Sequence, residues 1–375
     1  MPYAHLDLFS GIGGFALAAR NTKRIQTIQF VEIDSHCHPT LQKHFPDTPI
    51  HADITDFDAN QNFDIITGGF PCQDLSTAKH NSEGLDGAKS GLWFEYLRLI
   101  SEIKPSAIVI ENVTPTKNKP WLHTVLDGVN QLGYNAIWRT FRACDFGLPH
   151  RRKRLFIIAF RQDVTPRNGL IFNQFFTYCP RLSAINKEIL NSGSHRQILL
   201  NIAKYKQINV KSETKLAVKA RSQVHALGNA LIPAIAQSCF ETVIKVLDAN
   251  LSATQKEVGN PTLYKLQIPS NTLYLKHGLM YNGVIAPKTV LELSEMAYRH
   301  LLRSPMASDA GRGRNGGRLS IGLETLRREA YIGSEGYMRK YQQSLVHNVA
   351  DALNAYPSVN LYEYMMGFPN GWTSI

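Results

Sequence analysis

Five short runs rich in Ile, Val, Leu and Phe recur across the first 160 residues, and helix-like stretches separate them. The runs are "HLDLFS" (5–10), "IQTIQFVEI" (25–33), "FDIITGG" (63–69), "SAIVIENV" (106–113) and "RLFIIAF" (154–160). Between them "GFALAARN", "HCHPTLQKHF", "LWFEYLRLISEIK" and "WLHTVLDGVNQLG" place apolar residues three or four apart, the spacing of one helix face. Strand and helix in repeated alternation predict an α/β fold, a mostly parallel Rossmann-like sheet with helices on both faces. Such sheets bind ligands beyond the carboxyl ends of their strands, so the loops after the strands carry the chemistry.

After Arg161 the pattern fades. Residues 161–225 hold eleven Lys and Arg against three acids, in a chain whose net charge is +11. Alone, this is a solvated basic face; with matching chemistry upstream it becomes a surface for a polyanion. "HALGNALIPAIAQSCFETVIKVLDAN" (225–250) restores an amphipathic helix, and a polar connector leads to a C-terminal part with a Gly/Arg-rich loop at 307–320. The expected organisation is a catalytic domain of residues 1–160 and 225–250, a basic insert at 161–224 and a C-terminal extension at 251–375. No run of about 18 uncharged apolar residues is present, so no membrane span is expected. The start of the chain has no secretory signature. Five cysteines without CxxC or CxxH spacing read as reduced thiols of a cytoplasmic protein, not as a metal site or disulfide frame.

Six segments at the strand ends stand out. "DLFSGIGGFALA" (7–18) is a strand, a glycine turn and a helix start, which lets backbone amides approach a ligand, although its G-x-G-G spacing is not the usual dinucleotide fingerprint. "VEID" places Glu32 where a carboxylate can hold ribose hydroxyls, and "ADITDF" offers Asp53 to a purine amino group. Each alone is more often a structural turn or a solvated acid; together they suggest an adenosyl cofactor. "GGFPCQDLSTA" (68–78) puts Cys72 after a proline at the carboxyl edge of the sheet. An arbitrary cysteine is usually an inert buried one, but a rigid turn beside cations or amides can activate a thiol. Glu111, in "ENV", ends a buried strand, a costly place for a carboxylate without a task. In "LPHRRKRLF" (148–156) the alternation of a strand points Arg152 and Arg154 to one face.

In this order and spacing the segments resemble the DNA (cytosine-5) methyltransferases. "DLFSGIGGFALA", "VEID", "DIT", "GGFPCQDLS", "ENV", "LPHRRKRLF" and "ALGNALIPAIA" each match a family motif, covering residues 5–160 and 225–240. The resemblance implies an S-adenosyl-L-methionine-dependent methyltransferase sheet with a smaller recognition region. It implies a Cys72 thiolate that adds to C6 of an extruded cytosine. Glu111 holds N3 and the amino group, and Arg152 and Arg154 orient the base. Phe9, Gly11, Gly13, Glu32, Asp53, Leu92 and Asn229 line the cofactor site by the same comparison. The implied partner is double-stranded DNA, met by a monomer, with a restriction endonuclease acting on the same site as a further partner.

Two features depart from the family pattern. His150 stands where the family usually has glutamine. "MMGFPNGW" (365–372) is similar to a piece that usually precedes the last cofactor motif, and here it follows it by more than a hundred residues. Target reading split between 161–224 and the C-terminal part is one expectation; a structural extension closing over the catalytic domain is the other. Rival functions are cytosine methylation of transfer RNA by the same residues, and an inactive DNA-binding relative, against which the intact Cys72, Glu111, Arg152 and Arg154 speak.

Overall fold

The computed structural model describes residues 1–71, 91–115, 121–146, 148, 150, 152–165, 175, 222–223, 225–252, 277–287 and 359–374. The chain divides into two compact units, one of Met1–Phe141, Lys153–Tyr178 and Pro233–Leu291, the other of Arg142–Arg152, Cys179–Ile232 and Glu292–Ile375.

The first unit is built on a sheet of nine strands among the described residues: β1 (Tyr3–Leu8), β2 (Ile25–Val31), β3 (Ile50–His51), β4 (Ile65–Gly68), β5 (Ala107–Val113), β6 (Tyr134–Arg142), β7 (Lys153–Arg161), β8 (His277–Tyr281) and β9 (Val284–Pro287). Their spatial order is β3-β2-β1-β4-β5-β7-β6-β8-β9. The pairs β2–β3, β1–β2, β1–β4 and β4–β5 are parallel. Beyond β5 the direction reverses: β5–β7, β6–β8 and β8–β9 are antiparallel. The sheet is therefore mixed, with its parallel half made from the strand–helix repeats of the sequence. Strands β8 and β9, from within residues 251–375, extend the other half.

Helices α1 (Gly14–Thr22), α2 (His38–His44), α3 (Gly91–Ile103), α4 (Trp121–Gln131) and α5 (Pro233–Ser252) belong to this unit. One sheet face buries Leu6, Leu8, Ile66, Ile108, Ile110, Leu155 and Ile157 against the apolar sides of α3 and α4. The other face packs α1 and α5, with Phe15, Phe156 and Phe240 in edge-to-face contact. Central strands buried on both faces need continuous apolar runs, which is why "AIVI" and "LFIIAF" read without alternation. The start of β1 is tied to the end of α5: the Tyr3 hydroxyl donates to Asp248 at 2.7 Å, and Arg24 reaches the same carboxylate.

A polar chain crosses the α1/α5 face. His5 is fully buried and packs on Phe240. Its Nδ1 lies 2.8 Å from the Thr27 hydroxyl and its Nε2 2.7 Å from the Thr67 hydroxyl, while Thr67 donates to Asp7 at 2.8 Å. Because Thr67 spends its proton on Asp7, it accepts from His5 Nε2–H, and His5 Nδ1 accepts from Thr27. Burial holds the His5 pKa down to about 3 and pushes the Asp7 carboxyl well above its usual range.

In the second unit, the described residues include a short 3-10 turn at Ala143–Phe146 and helix α6 (Val359–Met366). Arg142 and Asp145 form a buried ion pair at 3.0 Å.

Candidate active site

The glycine loop leaves β1 with a backbone that few sequences tolerate. Phe9 and Gly11 both have positive φ, 53° and 54°. A phenylalanine in this region is strained by about 1–3 kcal/mol, and Gly11 meets the requirement without a side chain. Among the described residues a Cβ on Gly11 would find nothing within 4 Å, so conformation, and not crowding by them, demands glycine here. The loop is locked from below: the Ser10 hydroxyl donates to the Asp7 carbonyl at 2.6 Å, and the Ser10 amide donates to the Val31 carbonyl. Gly13 caps α1 without a side-chain partner.

Glu32 joins the ends of β1 and β2. One carboxylate oxygen accepts the Gly11 amide at 2.6 Å and the other the Asp34 amide at 2.7 Å. Burial pushes its pKa up, and these two backbone donors oppose the shift. Asp53, in the loop after β3, accepts the Thr55 amide at 2.9 Å, and that bond holds its carboxyl below the usual range. Arg98 of α3 fastens this loop by donating to the carbonyls of Ile54 and Phe57. Leu92, in the first turn of α3, and Phe9 pack half-buried against the main core. The structure thus brings Phe9, Gly11, Glu32, Asp53 and Leu92 to the loops that follow the parallel strands, or to the helix start beside them.

The antiparallel seam explains how a residue near the end of one strand meets a residue near the start of another. Val113 of β5 faces Arg154 of β7 in the register. Glu111 lies two residues before Val113, on the same face. The Arg154 Nε stands 3.0 Å from the Glu111 carboxylate, with both side chains mostly buried. The other carboxylate oxygen lies against Gly69, where a Cβ would come within 3.0 Å of it. Next to Glu111, the buried Asn112 amide donates to the Phe70 carbonyl at 3.1 Å. The end of β5 therefore holds the acid and the first residues of the "GGFP" loop together. Cys72, two residues after Phe70, lies outside the described residues. The described cysteines Cys37, Cys144 and Cys239 are buried, and burial pushes the Cys37 and Cys239 thiols up, the opposite of what a nucleophile needs.

Arg152 has different partners from Arg154. It is buried in the second unit, and its two terminal nitrogens donate to the carbonyls of Gly228 and Ala230, both at 2.8 Å. Asn229, exposed between those two residues, sits at the end of a helical turn closed by the Ala230 amide on the Ala226 carbonyl. Sequence reasoning passed over Asn112 and Arg98. Only Asn112 left a signal, as the residue adjoining the strand-end glutamate.

Comparison with known proteins decides the family. The sequence profile of the C-5 cytosine-specific DNA methylases matches residues 3–257, well over half of the chain. The chain belongs to this family. Among similar proteins, the Type II methyltransferase M1.ScrFI of Lactococcus lactis subsp. cremoris is 37% identical over 163 residues, covering 42% of this chain and 41% of the relative. The Type II methyltransferase M.Sau3AI of Staphylococcus aureus is 35% identical over 180 residues, covering 42% of this chain and 43% of the relative. The chain thus spans less than half the length of these methylases. A solved structure of a putative DNA modification methyltransferase encoded within an E. coli prophage is 26% identical, covers 45% of this chain and 50% of its own, and has a TM-score of 0.38.

The loops of this chain fit an adenosyl cofactor. Among the described residues, Gly11 has no neighbour where a Cβ would stand and lies at the start of a helix, Glu32 follows β2, and Asp53, its carboxyl held below the usual range, follows β3. Those are the donor and acceptor types that an amino-acid tail, a ribose and an adenine require. Among the described residues no helix is long and apolar enough to cross a membrane.

Proposed function

We propose that this protein methylates C5 of cytosine at a specific sequence in double-stranded DNA. The observation that carries the reading is the Glu111–Arg154 pair, set against Gly69 three residues before Cys72. Family membership and the relatives' description as Type II methyltransferases support it. Cytosine C5 is a weak nucleophile until a group adds to C6. The Cys72 thiolate forms that bond, and the C5–C6 double-bond electrons make C5 nucleophilic. Glu111 donates a hydrogen bond or proton to N3 and accepts one from the amino group. Arg154 holds that carboxyl in place and balances the negative charge that develops on the ring. Phe9, Gly11, Gly13, Glu32, Asp53, Leu92 and Asn229 would hold S-adenosyl-L-methionine, whose sulfonium would supply an electrophilic methyl to C5 and leave as the thioether S-adenosylhomocysteine. Loss of the C5 proton to a base then expels the thiolate and restores the ring. Because a stacked cytosine offers neither face to a thiol, the base is extruded first.

Arg152, whose terminal nitrogens are spent on the 228–230 backbone, serves this reaction by holding the loop of Asn229. An endonuclease cutting the same sequence is the partner that the Type II relatives suggest. The test is transfer of labelled methyl to duplex DNA and to transfer RNA, by wild type and by Cys72→Ala. Methylated duplex with wild type alone is the expected result, with the variant's turnover lower by about 10⁴-fold or more. Label on transfer RNA would move the substrate to that polymer. A wild-type protein that binds DNA without transferring label would be the inactive relative.

A further inference from the structure

The end of the chain is built into the second unit by buried polar contacts. The Glu363 carboxylate of α6 is fully buried and accepts three hydrogen bonds, from the amides of Gly371 and Thr373 and from the Thr373 hydroxyl, at 2.6–2.7 Å. The Phe368 amide closes back onto the Glu363 carbonyl, and the Phe368 and Trp372 rings lie 5.7 Å apart, tilted by 41°. These bonds fold residues 363–373 into a self-held hook. Gln223 then donates to the Thr373 carbonyl.

The hook also reaches the arginine motif. His150 is fully buried; its Nε2 lies 2.6 Å from the Met365 carbonyl, and its Nδ1 accepts the Arg152 amide at 3.2 Å. A carbonyl only accepts and an amide only donates, so one tautomer, with hydrogen on Nε2, satisfies both ends. Arg152 passes the constraint on, because its guanidinium grips the two carbonyls that flank Asn229. Met365, His150, Arg152 and the 228–230 backbone thus form one buried relay inside a single unit.

We infer that residues 359–374 are a clasp that positions the Asn229 loop, and that His150 is the positioning residue through which the clasp acts. A side chain at 150 must donate outward to the carbonyl and accept inward from the amide. Neutral histidine and glutamine both do this; alanine does neither. A lost buried hydrogen bond between fixed groups leaves the Met365 carbonyl and the Arg152 amide unpaired, and the loop they tether loosens. The cofactor part of this inference rests on the function proposed above.

The experiment compares full-length wild type with His150→Ala, His150→Gln and Glu363→Gln. One measurement is hydrogen exchange of the Leu227–Ala230 amides; the other is steady-state methylation, with KM for S-adenosyl-L-methionine and kcat read separately. His150→Ala is expected to speed exchange at Ala230 and to raise KM about tenfold, the size of one buried hydrogen bond. It should change kcat less than about twofold and leave β1 amides protected. His150→Gln should restore both readings, and Glu363→Gln, which unlocks the hook at a distance, should move both in the direction of alanine. Wild-type exchange in His150→Ala, an unchanged KM, or equal damage from alanine and glutamine overturns the inference. If wild type does not take up S-adenosylhomocysteine in calorimetry, the functional reading fails instead, and exchange alone decides the clasp.

Discussion

The two halves of the sheet use the same core for different ends. Across β3, β2, β1, β4 and β5 the strands run parallel, so their carboxyl ends share one edge. Phe9, Gly11, Glu32, Asp53 and the "GGFP" loop gather along it. On the other side, β5–β7, β6–β8 and β8–β9 pair antiparallel, and the only expected site residue on those added strands is Arg154, at the seam. Parallel strands concentrate loops and therefore chemistry, whereas antiparallel strands add buried area. The seam supplies what neither half could alone, a strand start beside a strand end.

The sharpest way to break this contrast is Glu111→Gln, which keeps the shape and removes the acid. Methylation should fall about 10²–10⁴-fold while cofactor affinity, measured by calorimetry, stays within about twofold. A loss of affinity instead would mean that the parallel edge is one cooperative site. On the other half, a Cβ on Gly278 of β8 would overlap the Trp138 ring of β6. Gly278→Ala should cost about 1–3 kcal/mol of stability, read from urea midpoints. The folded fraction should keep wild-type kcat; a changed kcat would carry the chemistry across the seam.

The polar chain beneath β1 gives a smaller, pH-dependent effect. Between pH ~4 and ~6.5 an unfolded chain carries a protonated His5 and an ionised Asp7. In the fold His5 is held down to about 3 and Asp7 is pushed up, so below the raised Asp7 pKa both are neutral. The two states then bind equal numbers of protons at these sites, so the pair contributes no slope. In Asp7→Asn the unfolded state alone binds the His5 proton, and stability should fall as pH drops below ~6.5, by about 1.4 kcal/mol per unit. In His5→Gln the sign reverses: Asp7 gains its proton only in the fold, and stability should fall as pH rises from ~4 through its raised pKa. Matching slopes in the two variants would show that the sites do not offset each other. The smallest effect belongs to Asn112→Ala, which frees the Phe70 carbonyl. About 1 kcal/mol of loop order should appear as a several-fold drop in kcat with unchanged melting of the sheet.

The parallel half was legible because burial on both faces leaves apolar runs that period and composition reveal. Strand β6 was not, although all nine of its residues are buried. Asn135, Arg139, Thr140 and Arg142 interrupt the run, and each has its partner far away in sequence or around a turn, as Arg139 has in the Phe175 carbonyl and Arg142 in Asp145. β3, two residues long, is too short to show a period, and β8 and β9 follow a polar connector. At the site, the glycine loop and the three strand-end acids stood in the motifs themselves. The alternation that aimed Arg152 and Arg154 to one face did not reveal their partners, since Arg152 precedes β7 and its carbonyls lie 76 and 78 residues away. Cys72 remains a reading of the sequence.

The tie between Tyr3 and Asp248 sets a timetable for synthesis. Strand β1 leaves the ribosome long before the helix that covers one of its faces, which is about 230 residues behind. At ~5–20 residues per second that delay is roughly 10–50 s, during which Phe15 and His5 wait for Phe240. A nascent chain of this kind exposes an apolar sheet face long after its loops have formed. Its yield in a cell should therefore depend on what shields that face in the interval.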